Sequence, residues 1–256
     1  SQVYLEPYET QTVETLLKCV AVASANDAAV ALAEHISGSE GDFVKKMNQK
    51  AAELGMKNTH FVNCCGLDDD AHLTTARDVA VMSREILKNH PQIHEYCTIW
   101  MENIVHTTAR GDFEFGLSNT NKLIKQYEYA TGLKTGYTSV AGFCVSASAK
   151  KDNIELVAVI MGGADSKSRF QDAIMLLNSG FACCSLYQDT DPVPLPKLPV
   201  KGGVADTVTL KYAGTFSYVS TDGTNLNQIE RTMELPEEIQ APLEKGSEVG
   251  RLVYRI

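Results

Sequence analysis

The stretch Leu133-Lys134-Thr135-Gly136-Tyr137-Thr138 gives the strongest indication of both the fold and a functional site. A lysine and a threonine next to each other on a strand can hold a carboxylate, because the ammonium supplies charge and the hydroxyl supplies a directional donor. Gly136 has no side chain, so a second backbone can approach the strand closely. Such a strand edge can bind an extended peptide and its C-terminal carboxylate. A surface strand with a turn glycine would carry the same three residues.

A second motif, Ser24-Ala25-Asn26-Asp27, lies about a hundred residues upstream. The Ser24 hydroxyl can relay a proton. The Asn26 amide can hold a substrate carbonyl and a neighbouring lysine at once. The same residue types are also common helix caps, and Asp27 fits that structural role as well.

The composition is that of a globular protein, with 44% hydrophobic and 21% charged residues in a chain of 256. The net charge of −9 and the lack of a Lys/Arg cluster argue against a nucleic-acid partner. No apolar run is long enough to cross a bilayer.

Seven cysteines without a Cys-x-x-Cys spacing indicate buried thiols, so we expect neither a metal nor another cofactor. Cys64 or Cys65 with His60 or His72 could form a Cys–His pair, but a Cys-rich loop beside structural histidines is the favoured explanation.

Helical periodicity dominates the N-terminal part of the chain. Apolar residues at i, i+3 and i+4 predict a helix after Thr12 and a second helix that ends at Gly38. A third helix is predicted from about Asp42 to Gly55. The sequence Thr75-x-x-Asp78 is a capping box that opens a fourth.

Strand patterns follow in the middle of the chain. Alternating apolar residues predict strands over 132–138, 142–149 and 154–161, with a hairpin turn between the last two. One more helix is predicted over 168–178.

The composition changes again at residue 191. Residues 191–199 are rich in proline, which predicts a stiff, extended linker. Short strands with glycine-containing turns are predicted beyond it, at 208–212, 216–219, 229–235 and 251–256. We therefore expect a larger domain of helices and strands over residues 1–190 and a small β domain over residues 200–256.

The run 12–34 closely resembles the Ser-x-Asn region of the low-molecular-weight D-alanyl-D-alanine carboxypeptidases, the peptidase S11 branch of the penicillin-binding proteins. The resemblance covers about residues 5–187 with few gaps and includes Lys134-Thr135-Gly136. It implies an α+β fold, in which a penicillin-binding or β-lactamase-like transpeptidase domain has an antiparallel sheet flanked by helices. The small C-terminal all-β domain also looks like the second domain of that family.

The resemblance implies three catalytic residues. Ser24 would relay a proton between the catalytic lysine and the leaving group. Asn26 would hydrogen-bond the amide carbonyl of the substrate, and Lys134 would keep the site positive. No metal takes part in this chemistry.

Three further residues would bind the substrate, a peptidoglycan stem peptide that ends in D-Ala-D-Ala, or a β-lactam in its place. Thr135 would contact the terminal carboxylate, and Gly136 would let the substrate backbone come close. The N–H group of Tyr137 would form half of the oxyanion hole.

The nucleophile of this family lies in a Ser-x-x-Lys motif that precedes Ser-x-Asn, and no such motif precedes Ser24. Residues 148–151, Ser-Ala-Lys-Lys, fit the formula. We interpret them as a chance match, since the motif needs a helix that places Ser and Lys one turn apart on one face. We expect an N-terminal segment of the same protein to supply the nucleophile.

Three interpretations of the function stay open. The first is a serine carboxypeptidase that removes the terminal D-Ala of stem peptides through an acyl-enzyme. The second is a muropeptide-binding relative without the chemistry, and the third is a β-lactamase or endopeptidase of the same superfamily. The first implies an extracytoplasmic location in the cell envelope, either on the outer face of the cytoplasmic membrane or secreted, and leaves membrane association open.

Overall fold

The computed structural model describes all residues, 1–256, and the chain divides into two compact units. The first unit is Ser1–Gly180 and the second is Phe181–Ile256. This division lies before the boundary at residue 190 that the composition suggests. The difference arises because Ser185–Gln188 pairs with Ser217–Ser220, within the second unit, so structure changes before composition does.

Seven helices begin in the first unit: α1 Val13–Ala23, α2 Asn26–Ser37, α3 Glu40–Glu53, α4 Ala76–Asn89, α5 Ile93–Cys97, α6 Leu123–Gln126 and α7 Ser166–Cys183. The five longer helices confirm the predicted ones. Thr12 and Thr75 cap α1 and α4 as expected, with their hydroxyls accepting from the N–H groups of Thr15 and Asp78. Helix α3 begins two residues earlier than predicted, because the Ser39 hydroxyl caps it. None of the helices combines the length and the apolar character needed to cross a bilayer.

The main sheet of the first unit is antiparallel and has the order β3-β4-β5, with β3 at Ala130–Thr138, β4 at Gly142–Lys151 and β5 at Ile154–Gly163. These three predicted strands are confirmed. The turn at 152–153 has two residues with positive φ, which suits a tight hairpin. Central strand β4 is buried on both faces from Val145 to Ala149. Its buried Ser146 hydroxyl is paired with the Ser83 hydroxyl of α4 at 2.7 Å.

A second hairpin, β1 (Met101–Thr108) with β2 (Gly111–Ser118), is absent from the sequence-based prediction. Its inward positions include His106, which is fully buried and bonded through Nδ1 to the Glu9 carboxylate at 2.7 Å. A buried histidine on an inward position interrupts the apolar alternation by which strands are recognised. The hairpin could therefore be predicted from the sequence only if Glu9 were known to be the partner of His106.

The second unit contains seven short strands: β6 Ser185–Gln188, β7 Lys197–Lys201, β8 Thr207–Thr209, β9 Ser217–Ser220, β10 Glu230–Glu234, β11 Ile239–Gln240 and β12 Arg251–Arg255. They form two antiparallel pairs, β6-β9 and β10-β12, and a three-stranded sheet of order β11-β7-β8. A buried carboxylate, Asp189, accepts from Tyr254 at 2.6 Å and from Arg231 at 3.2 Å. Only the first part of the predicted linker 191–199 is a connection, because its last three residues belong to strand β7.

The N-terminal segment is held against the start of α2 by one carboxylate. Asp27 accepts hydrogen bonds from the N–H groups of Val3, at 3.1 Å, Leu5, at 3.1 Å, and Ala28, at 3.0 Å. Val3 is fully buried and packs with Leu16 and other residues of α1 and α2. Asp27 is therefore more than a helix cap, because it orders a segment that is distant in sequence.

We predict that Asp27→Asn releases this segment. The amide would turn an NH₂ group toward backbone donors, and leaving buried N–H groups unpaired costs about 1–3 kcal/mol. Hydrogen–deuterium exchange of the full-length protein should be faster in Asp27→Asn than in the natural sequence, in the peptide that contains Val3 and Leu5. The exposed Asp70→Asn is the control. Unchanged protection of Val3 and Leu5 in Asp27→Asn would contradict the assignment.

Candidate active site

Two motifs that are 110 residues apart in sequence meet at one hydrogen bond. Helix α1 ends at Ser24, which has a left-handed conformation with φ 59° and ψ 40°, and α2 begins at Asn26. The Lys134 ammonium, on β3, donates to the Ser24 hydroxyl at 2.7 Å and to the Thr135 carbonyl at 2.9 Å. A non-glycine residue in this conformation is strained, and such strain is concentrated at functional sites. The break between the two helices therefore presents the Ser24 hydroxyl to the lysine.

Strand β3 is at one edge of its sheet, and this edge position makes Lys134-Thr135-Gly136 accessible to a ligand. Thr135 lies opposite Val145, and Gly136 lies opposite Cys144, on the neighbouring strand. Gly136 is exposed, and a methyl group at its Cα would meet nothing closer than 4.0 Å. The free edge can thus accept an extended peptide backbone by strand addition.

Thr135 is buried, and its hydroxyl is bonded to the Thr120 hydroxyl at 2.7 Å. Thr120 in turn donates its N–H to the Val22 carbonyl of α1 at 3.1 Å. Asn119 fixes the loop around Thr120, since its side-chain amide donates to two carbonyls and its oxygen accepts from the Asn121 N–H. The sequence analysis gave Thr120 no role. The paired asparagines at 119 and 121 are the signal that could have indicated a specially held residue between them.

Arg169 of α7 also stabilises strand β3. It is buried, and its guanidinium donates to the carbonyls of Gly136 and Cys144, each at 3.1 Å. The rings of Phe143 and Phe170 flank it at 5.5 Å and 4.7 Å. A single arginine therefore ties β3 to β4 at the glycine of the motif. No local pattern in the sequence assigns it this position.

The Lys134 amine is in an environment that disfavours its charge. Burial lowers the pKa of Lys134 from 10.5 to about 8; the Cys97 thiol raises it and the Arg169 guanidinium lowers it. A lysine near neutrality can both carry charge for a carboxylate and exchange protons. Perturbed groups of this kind are enriched at functional sites.

Asn26 and Tyr137 lie beside this centre without a direct bond to Lys134. The Asn26 N–H donates to the Ser1 carbonyl at 2.9 Å, which positions the backbone of the residue. Tyr137 is 60% exposed and lies against Phe143, with ring centroids 4.3 Å apart. The structure thus brings Ser24, Lys134 and Thr135 together, while the roles of all the predicted site residues stay predictions.

The chain offers no usable nucleophile in the two alternative places that the sequence suggests. Ser148 is fully buried on β4 and accepts from Thr131, and on a strand the residue three positions away faces the opposite side. The pKa values of the Cys64 and Cys65 thiols are raised, mainly by burial, which disfavours a reactive thiolate.

Residues 1–165 match the sequence model of the peptidase S11 family, described as D-alanyl-D-alanine carboxypeptidase. The whole chain is similar to the D-alanyl-D-alanine carboxypeptidase DacF of Bacillus subtilis, at 40% identity, and to DacA of Haemophilus influenzae, at 32%. The chain spans 65% and 64% of the lengths of these two relatives.

Solved structures of penicillin-binding proteins are also similar to the chain. Penicillin binding protein 5 from Haemophilus influenzae matches 100% of the chain, over 73% of its own length, with 31% identity and a TM-score of 0.72. The Streptomyces K15 DD-transpeptidase matches 71% of the chain, over 72% of its own length, with 28% identity and a TM-score of 0.67. The predicted fold class, α+β with a penicillin-binding type of catalytic domain, is confirmed.

We predict that the Lys134 amine titrates near pH 8, and NMR of the full-length protein with ¹³Cε-labelled lysine would measure it. Between about pH 8 and 10.5 the unfolded chain binds more protons at this site than the folded chain. The free energy of unfolding should therefore rise with pH in that window, and Lys134→Met should remove this part of the rise. The exposed Lys150 is the control resonance. A Lys134 titration near 10.5 would refute the assignment.

Proposed function

Since the chain belongs to the peptidase S11 family of D-alanyl-D-alanine carboxypeptidases, we propose that the protein is a serine-type enzyme of that activity. It removes the terminal D-Ala from peptidoglycan stem peptides through an acyl-enzyme and also binds β-lactams. The Lys134–Ser24 hydrogen bond at 2.7 Å carries this proposal, because it joins the two family motifs that the chain contains.

The stem peptide lies along the free edge of β3, with its terminal carboxylate at Lys134 and Thr135. Lys134 supplies the positive charge, and the Thr135 hydroxyl, aligned by Thr120, supplies a directional donor. Gly136 leaves room for the peptide backbone, and the N–H of Tyr137 points to the scissile carbonyl as one oxyanion donor. This arrangement selects peptides with a free terminal carboxylate.

Ser24 acts as a proton relay. A serine hydroxyl outside residues 1–256, activated by the lysine of a Ser-x-x-Lys helix, attacks the carbonyl of the penultimate D-Ala. Its proton passes through the Ser24 hydroxyl to the nitrogen of the leaving D-Ala, and Lys134 keeps that hydroxyl oriented. Asn26 holds the carbonyl of the substrate amide. Water then hydrolyses the acyl-enzyme.

The same proposal places the protein outside the cytoplasm, in the cell envelope where its substrate lies. Its partners are stem peptides that end in D-Ala-D-Ala, β-lactams and the N-terminal segment that carries the nucleophile. Membrane association stays open.

A fluorescent penicillin should label the full-length natural protein covalently, and the protein should release D-Ala from a pentapeptide that ends in D-Ala-D-Ala. Ser24→Ala should slow acylation by about 10²–10⁴-fold, because a positioned proton-transfer group contributes that much. The exposed Ser247→Ala is the control and should acylate at the natural rate.

The location of the adduct and its fate distinguish the alternatives. Mass spectrometry should find the penicilloyl group on a serine outside residues 1–256; acylation of Ser24 itself would refute the relay role. No adduct at saturating penicillin would indicate a muropeptide-binding relative without chemistry. An adduct that hydrolyses within minutes would indicate a β-lactamase, and cleavage of cross-links without D-Ala release would indicate an endopeptidase.

A further inference from the structure

The thiols of two adjacent cysteines in the loop that follows α3 lie close to a carboxylate at the start of that helix. The Sγ atoms of Cys64 and Cys65 and a carboxylate oxygen of Glu40 all lie within 4.8 Å of one another, and the three residues are half-buried. Both cysteines are free thiols. The catalytic proposal uses none of these three side chains.

The distances in this cluster are those of a tetrahedral zinc site. With Zn–S bonds of about 2.3 Å and Zn–O bonds of about 2.0 Å, two sulfur ligands lie about 3.8 Å apart, and a sulfur and an oxygen about 3.5 Å apart. The Cys64 and Cys65 Sγ atoms are 3.7 Å apart. The Cys65 Sγ is 3.5 Å from the backbone carbonyl of Asn26. Both distances from the Cys65 Sγ therefore match a tetrahedral arrangement, and a Glu40 carboxylate oxygen lies within 4.8 Å of both Sγ atoms.

The loop is fixed by its own hydrogen bonds. The Asn63 side-chain oxygen accepts from the N–H groups of Cys65, Gly66 and Leu67, at 2.8–3.1 Å. The Cys64 N–H donates to the Glu40 carboxylate at 3.0 Å and so holds it beside the thiols. The donor atoms are therefore preorganised, which reduces the entropy lost when a ligand binds.

The ligand type favours a thiophilic cation. Its binding displaces the thiol protons, because the thiolate is the form of cysteine that binds metals. Two sulfur donors select zinc-like ions over Mg²⁺ or Ca²⁺, which prefer oxygen.

We propose that Cys64, Cys65, Glu40 and the carbonyl of Asn26 bind one divalent cation of the Zn²⁺ class. The expectation that the chain has no metal site rests on its lack of a Cys-x-x-Cys spacing, whereas here the third side chain comes from α3. The Asn26 carbonyl opens α2 two residues after Ser24, so the bound cation ties the cysteine loop to the helix break of the active site. This inference does not depend on the proposed catalytic function.

Titration of the reduced full-length protein with Cd²⁺ tests the site, since the thiolate-to-cadmium charge-transfer absorption reports cysteine ligands directly. One Cd²⁺ per chain is expected, and Zn²⁺ should displace it. Cys64→Ser and Cys65→Ser should each abolish the band, and Glu40→Gln, which keeps both thiols, should weaken binding at least about tenfold. Cys183→Ser combined with Cys184→Ser is the matched control, because it removes the other adjacent pair and should leave binding unchanged.

Thermal unfolding gives an independent measurement. Zn²⁺ at a hundredfold excess over its Kd should raise the Tm by about 5–10 °C in the natural protein and in the control, and circular dichroism will verify that each variant is folded. The proposal is overturned if the absorption is lost in the Cys183/Cys184 variant, if it survives in Cys64→Ser or Cys65→Ser, or if Glu40→Gln binds as tightly as the natural protein. Failure of penicillin labelling would not affect any of these outcomes.

Discussion

The hydrogen bond between the Lys134 ammonium and the Ser24 hydroxyl is the interaction on which the site depends. It joins a strand to a break between two helices across 110 residues of sequence, so it exists only if the sheet and the helices are packed in one register. A shift of β3 by one residue would turn Lys134 to the other face of the sheet. Arg169 opposes such a shift, because it bonds the carbonyls of Gly136 and Cys144 on the paired strands.

The same contacts set the electrostatics of the site. A half-buried lysine near a buried arginine is costly, and the fold tolerates it because the Arg169 guanidinium has carbonyl acceptors and aromatic neighbours. The repulsion between the two cations and the burial of Lys134 both favour the neutral amine. A carboxylate at the edge of β3 would compensate both charges. An anion at this edge would therefore favour the charged form of Lys134.

Sequence reasoning succeeded where the determining interactions are local. Capping hydroxyls such as Thr75 and the alternation of the three sheet strands depend on neighbouring residues, so these elements could be predicted. The meeting of Ser24 with Lys134 came from the resemblance of the motifs, since spacing alone cannot place residues that far apart. The β1-β2 hairpin was missed because its core position holds His106, whose hydrogen-bond partner Glu9 is remote in sequence. The roles of Thr120 and Arg169 were missed for the same reason.

The helix break at Ser24 is held by contacts that come from several distant parts of the first unit. Its left-handed backbone is a conformation that a non-glycine residue keeps only when its surroundings overdetermine it. Asp27 anchors the N-terminal segment to the start of α2, the Asn26 carbonyl contacts Cys65, and Lys134 bonds the Ser24 hydroxyl itself. Since these contacts fall within the four residues 24–27, a cation at the cysteine loop and a carboxylate at Lys134 would act on the same strained turn. The position of the Ser24 hydroxyl is therefore a property of the whole first unit, not of the motif alone.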